Sequence, residues 1–335
     1  MYICGDKIAI ILMNKVRCPF YSVIRNRGVA ISLLAFFVAG CSSFEKKTTP
    51  GDGEDDYSGL EDKISDVIKD RPGRFGIAVI VDNADTITVN DLPEYPLMSM
   101  FKLHQAVAVC HCLDMRNVSL DSVVSISRNE VDENTWSPML KEFPSVDFSL
   151  SVGRLVEYLL VDSDNNASNL LFDKIVSVKA TDSIVGNLLP GKGFGLRFKE
   201  AEMKEDIARS YDNWSTPLSY ASLVNRIFTD SVVSSNKQAF IKKAMYNCKT
   251  GERRLMAPLS GKDGVMFAHR TGSGYVNEYG EFIAINDGGY VGLPGGHGYS
   301  IAVFVRDYAG KQEDAEDAIS EISRVVFDYI SEKNN

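Results

Sequence analysis

The spacing of hydrophobic residues differs between the ends of the chain and its middle. Near the start, Ile77, Val79 and Val81 recur at every second position, which predicts a strand over residues 74–82, and residues 85–90 are its expected hairpin partner. Toward the end, the strand pattern returns in three segments: 264–269, 282–286 and 299–307. The two ends of the chain therefore supply about five strands.

Helical spacing dominates between these strand segments. Hydrophobic residues recur three and four positions apart from residue 99 to about residue 227, for example at Leu155, Leu159 and Leu160. Further helices are predicted over residues 60–69, 237–246 and 314–329. This order predicts an α+β fold: an antiparallel sheet of about five strands, built from both termini and flanked by helices, with an inserted all-helical region.

The N-terminal segment is predicted to be absent from the mature protein. Basic residues precede an apolar run at 29–38, and small residues then lead to Cys41. This order is typical of an export signal over residues 1–40. Small residues directly before a cysteine also resemble the bacterial lipobox, which implies lipidation of Cys41 and a periplasmic, membrane-anchored lipoprotein. The alternative is an ordinary exported protein with an incidental cysteine.

Polar and turn-forming residues follow the signal. They make 41–57 a flexible tether that begins with the lipid-attachment cysteine. The folded domain is predicted over residues 58–335, with its sheet region at about 58–98 and 260–335 and its helical region at about 99–228.

Charge and the remaining cysteines and histidines narrow the class of function. The chain has 36 Lys and Arg against 45 Asp and Glu, a net charge of −9, and removal of residues 1–40 lowers this to −13. An acidic domain argues against nucleic acid as a partner. The 4 histidines show no zinc-ligand spacing, and the odd set Cys110, Cys112 and Cys248 predicts no structural disulfide. No pattern implies a metal or organic cofactor, and because no convincing oligomer interface is evident in the sequence we expect a monomer.

One polar pair stands at the head of a long apolar run. Ser99 and Lys102 are three residues apart in the segment 97–112, so in a helix they share a buried face with Leu103 and Ala106. Burying a hydroxyl beside an ammonium is costly unless partners are supplied or the lysine loses its proton. A partly desolvated Lys102 can act as a base, which makes Ser99 a candidate nucleophile. The alternative is that Ser99 caps the helix and Lys102 reaches water.

Two further motifs accompany this pair. Residues 163–165 are Ser-Asp-Asn between two predicted helices, and residues 270–274 are Arg-Thr-Gly-Ser-Gly after the strand predicted at 264–269. Each motif alone is an ordinary helix cap or turn. Together with Ser99-x-x-Lys102, and in this order, they resemble the S-x-x-K, S-D-N and K-T-G set of class A β-lactamases and penicillin-binding proteins.

This resemblance extends from about Tyr57 to the C-terminus. Residues 136–139 (Trp-Ser-Pro-Met), 163–171 and 269–275 are most similar to the cephalosporin-hydrolysing branch of class A enzymes from anaerobic gut bacteria. The resemblance implies a β-lactamase/transpeptidase-like fold and a small β-lactam substrate.

The resemblance also implies catalytic roles. Ser99 would attack the lactam carbonyl and form an acyl-enzyme, Lys102 would shuttle the proton, and Ser163 would pass a proton to the leaving lactam nitrogen. Backbone N–H groups of Ser99 and Ser273 would form the oxyanion hole, which typically contributes several kcal/mol of transition-state stabilisation.

Substrate-binding roles are implied in the same way. Asn165 would hold the amide side chain of the substrate, and Arg270, Thr271 and Ser273 would bind its carboxylate. Trp136 resembles an aromatic gate at the rim of the site. The alternative for this tryptophan is burial beneath a loop.

A β-lactamase also needs a base that hydrolyses the acyl-enzyme. Class A enzymes use a glutamate on a long loop, in a pattern that resembles Glu-x-x-Leu-Asn, and Glu200 aligns with this glutamate. The alternative is a solvated charge run, because Lys199, Glu202 and Lys204 crowd the same stretch.

The sequence departs from the family pattern at three positions. Lys204 replaces an asparagine that helps to hold the deacylating water, and its ammonium should favour the ionised form of Glu200. Arg270 replaces the lysine of K-T-G, which keeps the charge but changes its shape. Asn213 replaces a loop-closing aspartate, so the usual ion pair across the loop is expected to be missing and the loop to fold differently.

Hydrolysis of β-lactams is thus the predicted function, and the preference for cephalosporins rests on branch resemblance alone. Two alternatives stay open. One is a D-alanyl-D-alanine peptidase, against which Glu200 argues. The other is a non-hydrolysing β-lactam-binding envelope lipoprotein, against which the intact set of Ser99, Lys102, Ser163 and Glu200 argues.

Overall fold

A computed structural model describes residues 57–92, 95–144 and 147–333. The predicted export signal, Cys41 and the tether up to residue 56 lie outside these residues. The helices are α1 (Ser58–Ile68), α2 (Phe101–Met115), α3 (Pro138–Glu142), α4 (Val152–Val161), α5 (Asn165–Lys174), α6 (Val178–Leu188), α7 (Glu200–Glu205), α8 (Pro217–Thr229), α9 (Ser235–Tyr246) and α10 (Gln312–Lys333). The strands are β1 (Arg74–Val81), β2 (Asp85–Val89), β3 (Tyr95–Pro96), β4 (Val123–Ile126), β5 (Phe148–Ser151), β6 (Phe194–Gly195), β7 (Trp214–Ser215), β8 (Met266–Ser273), β9 (Phe282–Gly292) and β10 (Gly298–Tyr308).

In the part of the chain that the structure describes, the main sheet has five antiparallel strands in the order β2-β1-β10-β9-β8. Two strands come from the start of the domain and three from its end, which confirms the predicted sheet built from both termini. Strand β1 is buried on both faces: Ile77 and Val79 pack in one core with α1 and α10, and Ala78 packs in the other with the helical region. The sheet is therefore a central layer.

Strand β8 is longer than predicted. It runs through residues 270–273, so the Arg-Thr-Gly-Ser motif lies within the strand and does not follow it as a turn. The glycine that suggested a turn serves close approach instead, because a Cβ at Gly272 would lie 2.5 Å from the carbonyl oxygen of Leu97. Gly272 thus lets the segment that carries Ser99 lie directly against β8.

Helix α2 is the centre of the helical region. Every residue from Phe101 to Cys110 is buried, so the helix is enclosed on all sides and not only along the face that Lys102 shares with Leu103 and Ala106. Ser99 lies just before it, in a 3₁₀ turn over Met98–Met100, and not in the α-helix as predicted. Met98 has φ +46°, an uncommon conformation for a residue with a side chain.

Two small sheets escaped the sequence prediction. Strands β3, β7 and β6 form one, and β4 and β5 form the other. Strands of two residues leave no alternating pattern to detect. The first of these sheets holds both ends of the segment 196–213, which carries Glu200, because β6 precedes that segment and β7 follows it. None of the described helices combines the length and hydropathy that crossing a membrane requires.

Candidate active site

Ser99, Lys102 and Glu200 meet in one triangle of short contacts. Lys102 Nζ donates to Ser99 Oγ at 3.0 Å, and Ser99 Oγ donates to Glu200 Oε1 at 3.1 Å. Lys102 Nζ lies 2.9 Å from the same carboxylate oxygen. The structure therefore brings together residues that are 101 positions apart in the sequence, and Ser99 remains partly exposed at the surface of the site.

Lys102 is fully buried and has further oxygen partners. Its Nζ donates to the carbonyl oxygen of Ser163 at 2.8 Å and to Oδ1 of Asn165 at 2.6 Å. Desolvation by burial lowers the pKa of Lys102, and the carboxylate of Glu200 opposes this effect. The lysine does not reach water, so the alternative of a snorkelling side chain is wrong. A lysine with a lowered pKa, placed on a serine hydroxyl, can accept its proton.

The Ser-Asp-Asn turn is held by its middle residue. Asp164 is fully buried and caps α5, where its carboxylate accepts from the backbone N–H of Ala167 at 2.9 Å and of Met139 at 2.8 Å. Ser163 has φ +58°, so this turn is strained. The turn brings the side chains of Ser163 and Asn165 to Lys102, at 3.4 Å and 2.6 Å from Nζ.

Arg270 lies behind the two serines. Its guanidinium is fully buried and donates to Ser163 Oγ at 3.0 Å, to the Ser99 carbonyl oxygen at 3.2 Å and to the Leu160 carbonyl oxygen at 2.9 Å. The planar fork of arginine makes these contacts possible together. Arg270 thus ties the Ser99 turn and the Ser-Asp-Asn turn to strand β8.

Thr271 and Ser273 extend along the same strand. The hydroxyl of Thr271 is hydrogen-bonded to that of Thr250 at 2.6 Å. Ser273 is exposed, and its Oγ accepts from Nη2 of Arg254 at 2.6 Å. Arg254 is buried and is paired with Glu316 at 3.1 Å. Sequence reasoning missed Arg254, because nothing in the local pattern distinguishes it from the neighbouring Arg253, which points outward.

Glu200 begins the short helix α7. Its side chain is 7 % exposed, and the adjacent N–H of Ala201 donates to Oδ1 of Asn169 at 3.2 Å. The neighbouring Lys199 is paired with Asp173, with Nζ 2.9 Å from Oδ1. The alternative of a wholly solvated charge run is therefore wrong for Glu200, although its neighbours along the chain do lie at the surface.

Lys204 does not pair with Glu200 as expected. Its ammonium lies 2.5 Å from Oδ2 of Asp132 and donates to the carbonyl oxygen of Asn134 at 2.8 Å. The cation that pairs with Glu200 is Lys102 instead. Lys204 thus fastens α7 to the segment 131–135, which leads to Trp136.

Asn213 closes the loop with its amide group. Its Oδ1 accepts from the backbone N–H groups of Arg197 and Phe198 at 2.8 Å and 3.0 Å, and its Nδ2 donates to the Phe198 carbonyl oxygen at 2.7 Å. An ion pair does cross the loop, between Arg197 and Asp212 at 3.5 Å, but both side chains are exposed. The loop is therefore closed by buried hydrogen bonds rather than by a buried ion pair.

Trp136 stands at the rim of the site. Its side chain is 57 % exposed, so the alternative of burial beneath a loop is wrong. Its Nε1 donates to the carbonyl oxygen of Asp162 at 2.8 Å, and its own carbonyl oxygen accepts from Asn165 N–H at 3.0 Å. The described residues contain no cluster of His, Cys, Asp and Glu suited to holding a metal ion.

Comparison with known proteins identifies the family. The model of the beta-lactamase enzyme family matches residues 59–330. A β-lactamase of Phocaeicola vulgatus is 43 % identical over 303 residues, which is 90 % of this chain and 94 % of the relative. The crystal structure of the TLA-3 extended-spectrum β-lactamase has a TM-score of 0.78 and 31 % identity, covering 82 % of this chain and 98 % of that one. A class A β-lactamase of Bacteroides cellulosilyticus has a TM-score of 0.77 and 29 % identity, with the same coverage. The chain therefore belongs to the beta-lactamase enzyme family and is a class A serine β-lactamase, a hydrolase of β-lactams.

Proposed function

We propose that this enzyme hydrolyses cephalosporins by acylation of Ser99, followed by attack of a water that Glu200 activates. The observation that carries the proposal is the 3.1 Å contact between Ser99 Oγ and Glu200 Oε1. A carboxylate at this distance from the nucleophile lies beside the acyl group once the ester forms. A D-alanyl-D-alanine peptidase of the same fold does not use a glutamate at this place. The contact therefore favours hydrolysis of β-lactams over peptidase activity.

Acylation uses the groups around Lys102. Its amine, neutral when deprotonated, accepts the proton of Ser99 as Oγ attacks the lactam carbonyl carbon. The proton then passes through Ser163 Oγ, at 3.4 Å from Nζ, to the lactam nitrogen as the C–N bond breaks. Arg270 donates to that hydroxyl and so orients it for the transfer.

The oxyanion hole is proposed to consist of the backbone N–H groups of Ser99 and Ser273. The close packing of Gly272 against Leu97 supports this assignment, because it places the end of β8 beside the Ser99 turn. The exposed Ser273 hydroxyl, together with Thr271, is proposed to receive the substrate's carboxylate, with Arg254 and Arg270 supplying positive charge behind them.

Asn165 and Trp136 are proposed to contact the rest of the substrate. The Asn165 Nδ2 donates to Oγ1 of Thr135 at 3.0 Å, which fixes the amide plane at the mouth of the site. Trp136 presents an exposed ring at the rim of the site. The cephalosporin preference is supported by sequence resemblance to the cephalosporin-hydrolysing branch around residues 136–139, 163–171 and 269–275.

Export and lipid attachment at Cys41 are proposed from the sequence at 29–41. This places the enzyme in the periplasm on a membrane anchor. Fractionation of expressing cells tests it: the enzyme should sediment with membranes, and Cys41→Ser should release it. An enzyme that is soluble in both forms would refute the anchor.

The reaction is tested by combining steady-state hydrolysis with mass spectrometry of the protein. The parent should turn over a chromogenic cephalosporin faster than a penicillin, and Ser99→Ala should bind no acyl group. Glu200→Gln should retain an acyl adduct on the peptide that contains Ser99, because attack of water is slowed. A stable adduct on the parent itself would instead support a peptidase or a β-lactam sensor.

A further inference from the structure

Three side chains that the mechanism does not use interact near the active site: Cys248 just after α9, His269 on β8 and Asp287 on β9. His269 Nδ1 lies 2.9 Å from Asp287 Oδ1, and both side chains are almost fully buried. Cys248, just after α9, interacts electrostatically with the imidazole ring of His269. Within the described residues, the buried Nε2 of His269 has no hydrogen-bond partner.

Charge in this cluster favours a thiolate. Burial acts to raise the pKa of Cys248, but His269, Arg270 and the hydroxyl of Thr250 outweigh it and lower that pKa to about 6. Burial acts to lower the pKa of His269, but Asp287 and Cys248 outweigh it and raise that pKa to about 10. Cysteine thiolate and protonated imidazole therefore coexist at neutral pH.

Cys248 differs in this respect from a buried cysteine elsewhere in the domain. Cys110 is fully buried in α2, and desolvation raises its pKa to about 12. Cys248 is partly exposed at the end of α9. Nucleophilic reactivity requires both a thiolate and access to the reagent, and of these two cysteines only Cys248 combines a lowered pKa with partial exposure of the residue.

The sulfur of Cys248 is connected to the active site by two short paths. Arg270 Nη1 donates to Sγ at 3.8 Å, while Nη2 of the same guanidinium holds Ser163 Oγ at 3.0 Å. Thr250 Oγ1 lies 3.3 Å from Sγ and 2.6 Å from Oγ1 of Thr271. A group added to the sulfur therefore displaces Arg270, which holds the 3₁₀ turn that carries Ser99, and Thr250, which holds Thr271 on strand β8.

We propose that Cys248 is a modification site for hydroperoxides, and that its oxidation to a sulfenic acid slows β-lactam hydrolysis. The thiolate attacks one peroxide oxygen, so an S–O bond forms as the O–O bond breaks. Sulfur loses two electrons, and the peroxide is reduced. The leaving hydroxide or alkoxide takes the proton of the His269 imidazolium and departs as water or an alcohol. The effect on hydrolysis rests on the proposed roles of Arg270 and Ser163, whereas the reactivity of Cys248 does not.

Hydrogen peroxide is the probe for this site. The purified protein is treated at pH 7 with peroxide and dimedone, which traps sulfenic acids, and labelled peptides are mapped by mass spectrometry. We expect the Cys248 peptide to be labelled at least about tenfold faster than N-acetylcysteine, and the Cys110 peptide to stay unlabelled. Without dimedone, peroxide should lower the hydrolysis rate by about tenfold, because Arg270 loses its geometry, and dithiothreitol should restore it.

The matched variant is Cys248→Ala, and its hydrolysis rate after peroxide treatment is compared with its rate before treatment. Peroxide should leave that rate unchanged, and an equal loss in the variant would place the damage elsewhere and refute the coupling. Labelling of Cys248 no faster than that of N-acetylcysteine would refute the site. If Cys248→Ala does not fold, reversal by dithiothreitol in the parent decides the coupling. A parent without hydrolytic activity would refute the proposed function, while the labelling still tests the site.

Discussion

Lys102 and Glu200 form a buried ion pair in which Nζ lies 2.9 Å from Oε1. The same side chain contacts Ser99 Oγ at 3.0 Å, so one lysine touches both the residue proposed for acylation and the residue proposed for deacylation. The carboxylate of Glu200 favours the protonated form of Lys102, which cannot act as a base. The two half-reactions are therefore coupled through one protonation state.

Lys102→Arg separates the charge of this residue from its basicity. Arginine keeps the positive charge beside Glu200 but stays protonated, so acylation should slow by about 100-fold or more. In the parent, burial lowers the pKa of Lys102, so the acylation rate should rise with pH and level off below pH 10.5. Single-turnover acylation across pH measures both effects. A variant that melts like the parent and acylates within about threefold of its rate would contradict the base role.

His104 makes the domain sensitive to acid. The residue is fully buried in α2 with its ring 4.8 Å from that of Phe194, and burial lowers its pKa from 6.5 to about 3. Below pH 6.5 the unfolded chain takes up a proton that the folded protein refuses, so stability falls as pH falls from 6.5 toward 3. Between pH 7 and 4 this amounts to on the order of 3 kcal/mol.

His104→Phe should remove that part of the acid sensitivity, because phenylalanine keeps a ring in the same space without a titrating group. The measurement is the free energy of unfolding in urea at pH 7 and pH 4. The variant should lose about 3 kcal/mol less than the parent on acidification. Equal losses in the two proteins would show that His104 is not the group responsible.

Lys204 is expected to act on deacylation through position rather than charge. Its contact with Asp132 is half-exposed, so Lys204→Met should change the free energy of unfolding by less than about 1 kcal/mol. Loosening α7 moves Glu200, and small displacements of a base are costly, so deacylation should slow by about tenfold.

The readout for Lys204→Met is the fraction of acyl-enzyme at steady state, which should rise above that of the parent. Lys192→Met is the control, because Lys192 forms an equally short pair with Asp182 on α6 and not with a residue that holds α7. The control should leave the acyl fraction unchanged. If both variants raise it equally, the effect of Lys204 is not specific to α7.

Much of this architecture follows from the sequence because its signals are local. The pairs and triplets around Ser99, Ser163 and Arg270 are short motifs, and the strands at the two ends alternate clearly. The site residues then lie together because the fold brings those motifs to one edge of the sheet. The predicted sheet and family were both confirmed for this reason.

The errors have a common physical origin, which is that the partner of a polar side chain is set by tertiary contacts. Lys204 is four residues from Glu200 along the chain but pairs with Asp132, and Arg254 is buried while Arg253 is not. The apolar run over residues 97–112 indicates a buried helix, but the segments that cover each face of α2 come from distant parts of the chain. Gly272 suggested a turn but serves a contact with Leu97.

Asn213→Asp would introduce the aspartate expected from the family pattern, and in this chain we expect it to be harmful. Asn213 is fully buried, and its Nδ2 donates to the Phe198 carbonyl oxygen at 2.7 Å. A carboxylate has no donor for that oxygen and would repel it, so the free energy of unfolding should fall by about 1–3 kcal/mol. The loss should be smaller near pH 4, because a buried carboxyl group binds a proton more readily than an exposed one and the protonated group can donate.

The loop that Asn213 closes carries Glu200, so the same change should slow deacylation more than acylation, and acyl-enzyme should accumulate. Asp212→Asn is the matched control, because Asp212 forms the exposed pair with Arg197 at 3.5 Å. The control should stay within about 0.5 kcal/mol of the parent, as exposed pairs contribute little. A larger loss for Asp212→Asn than for Asn213→Asp in urea unfolding would mean that the exposed ion pair, and not the buried amide, holds the loop closed.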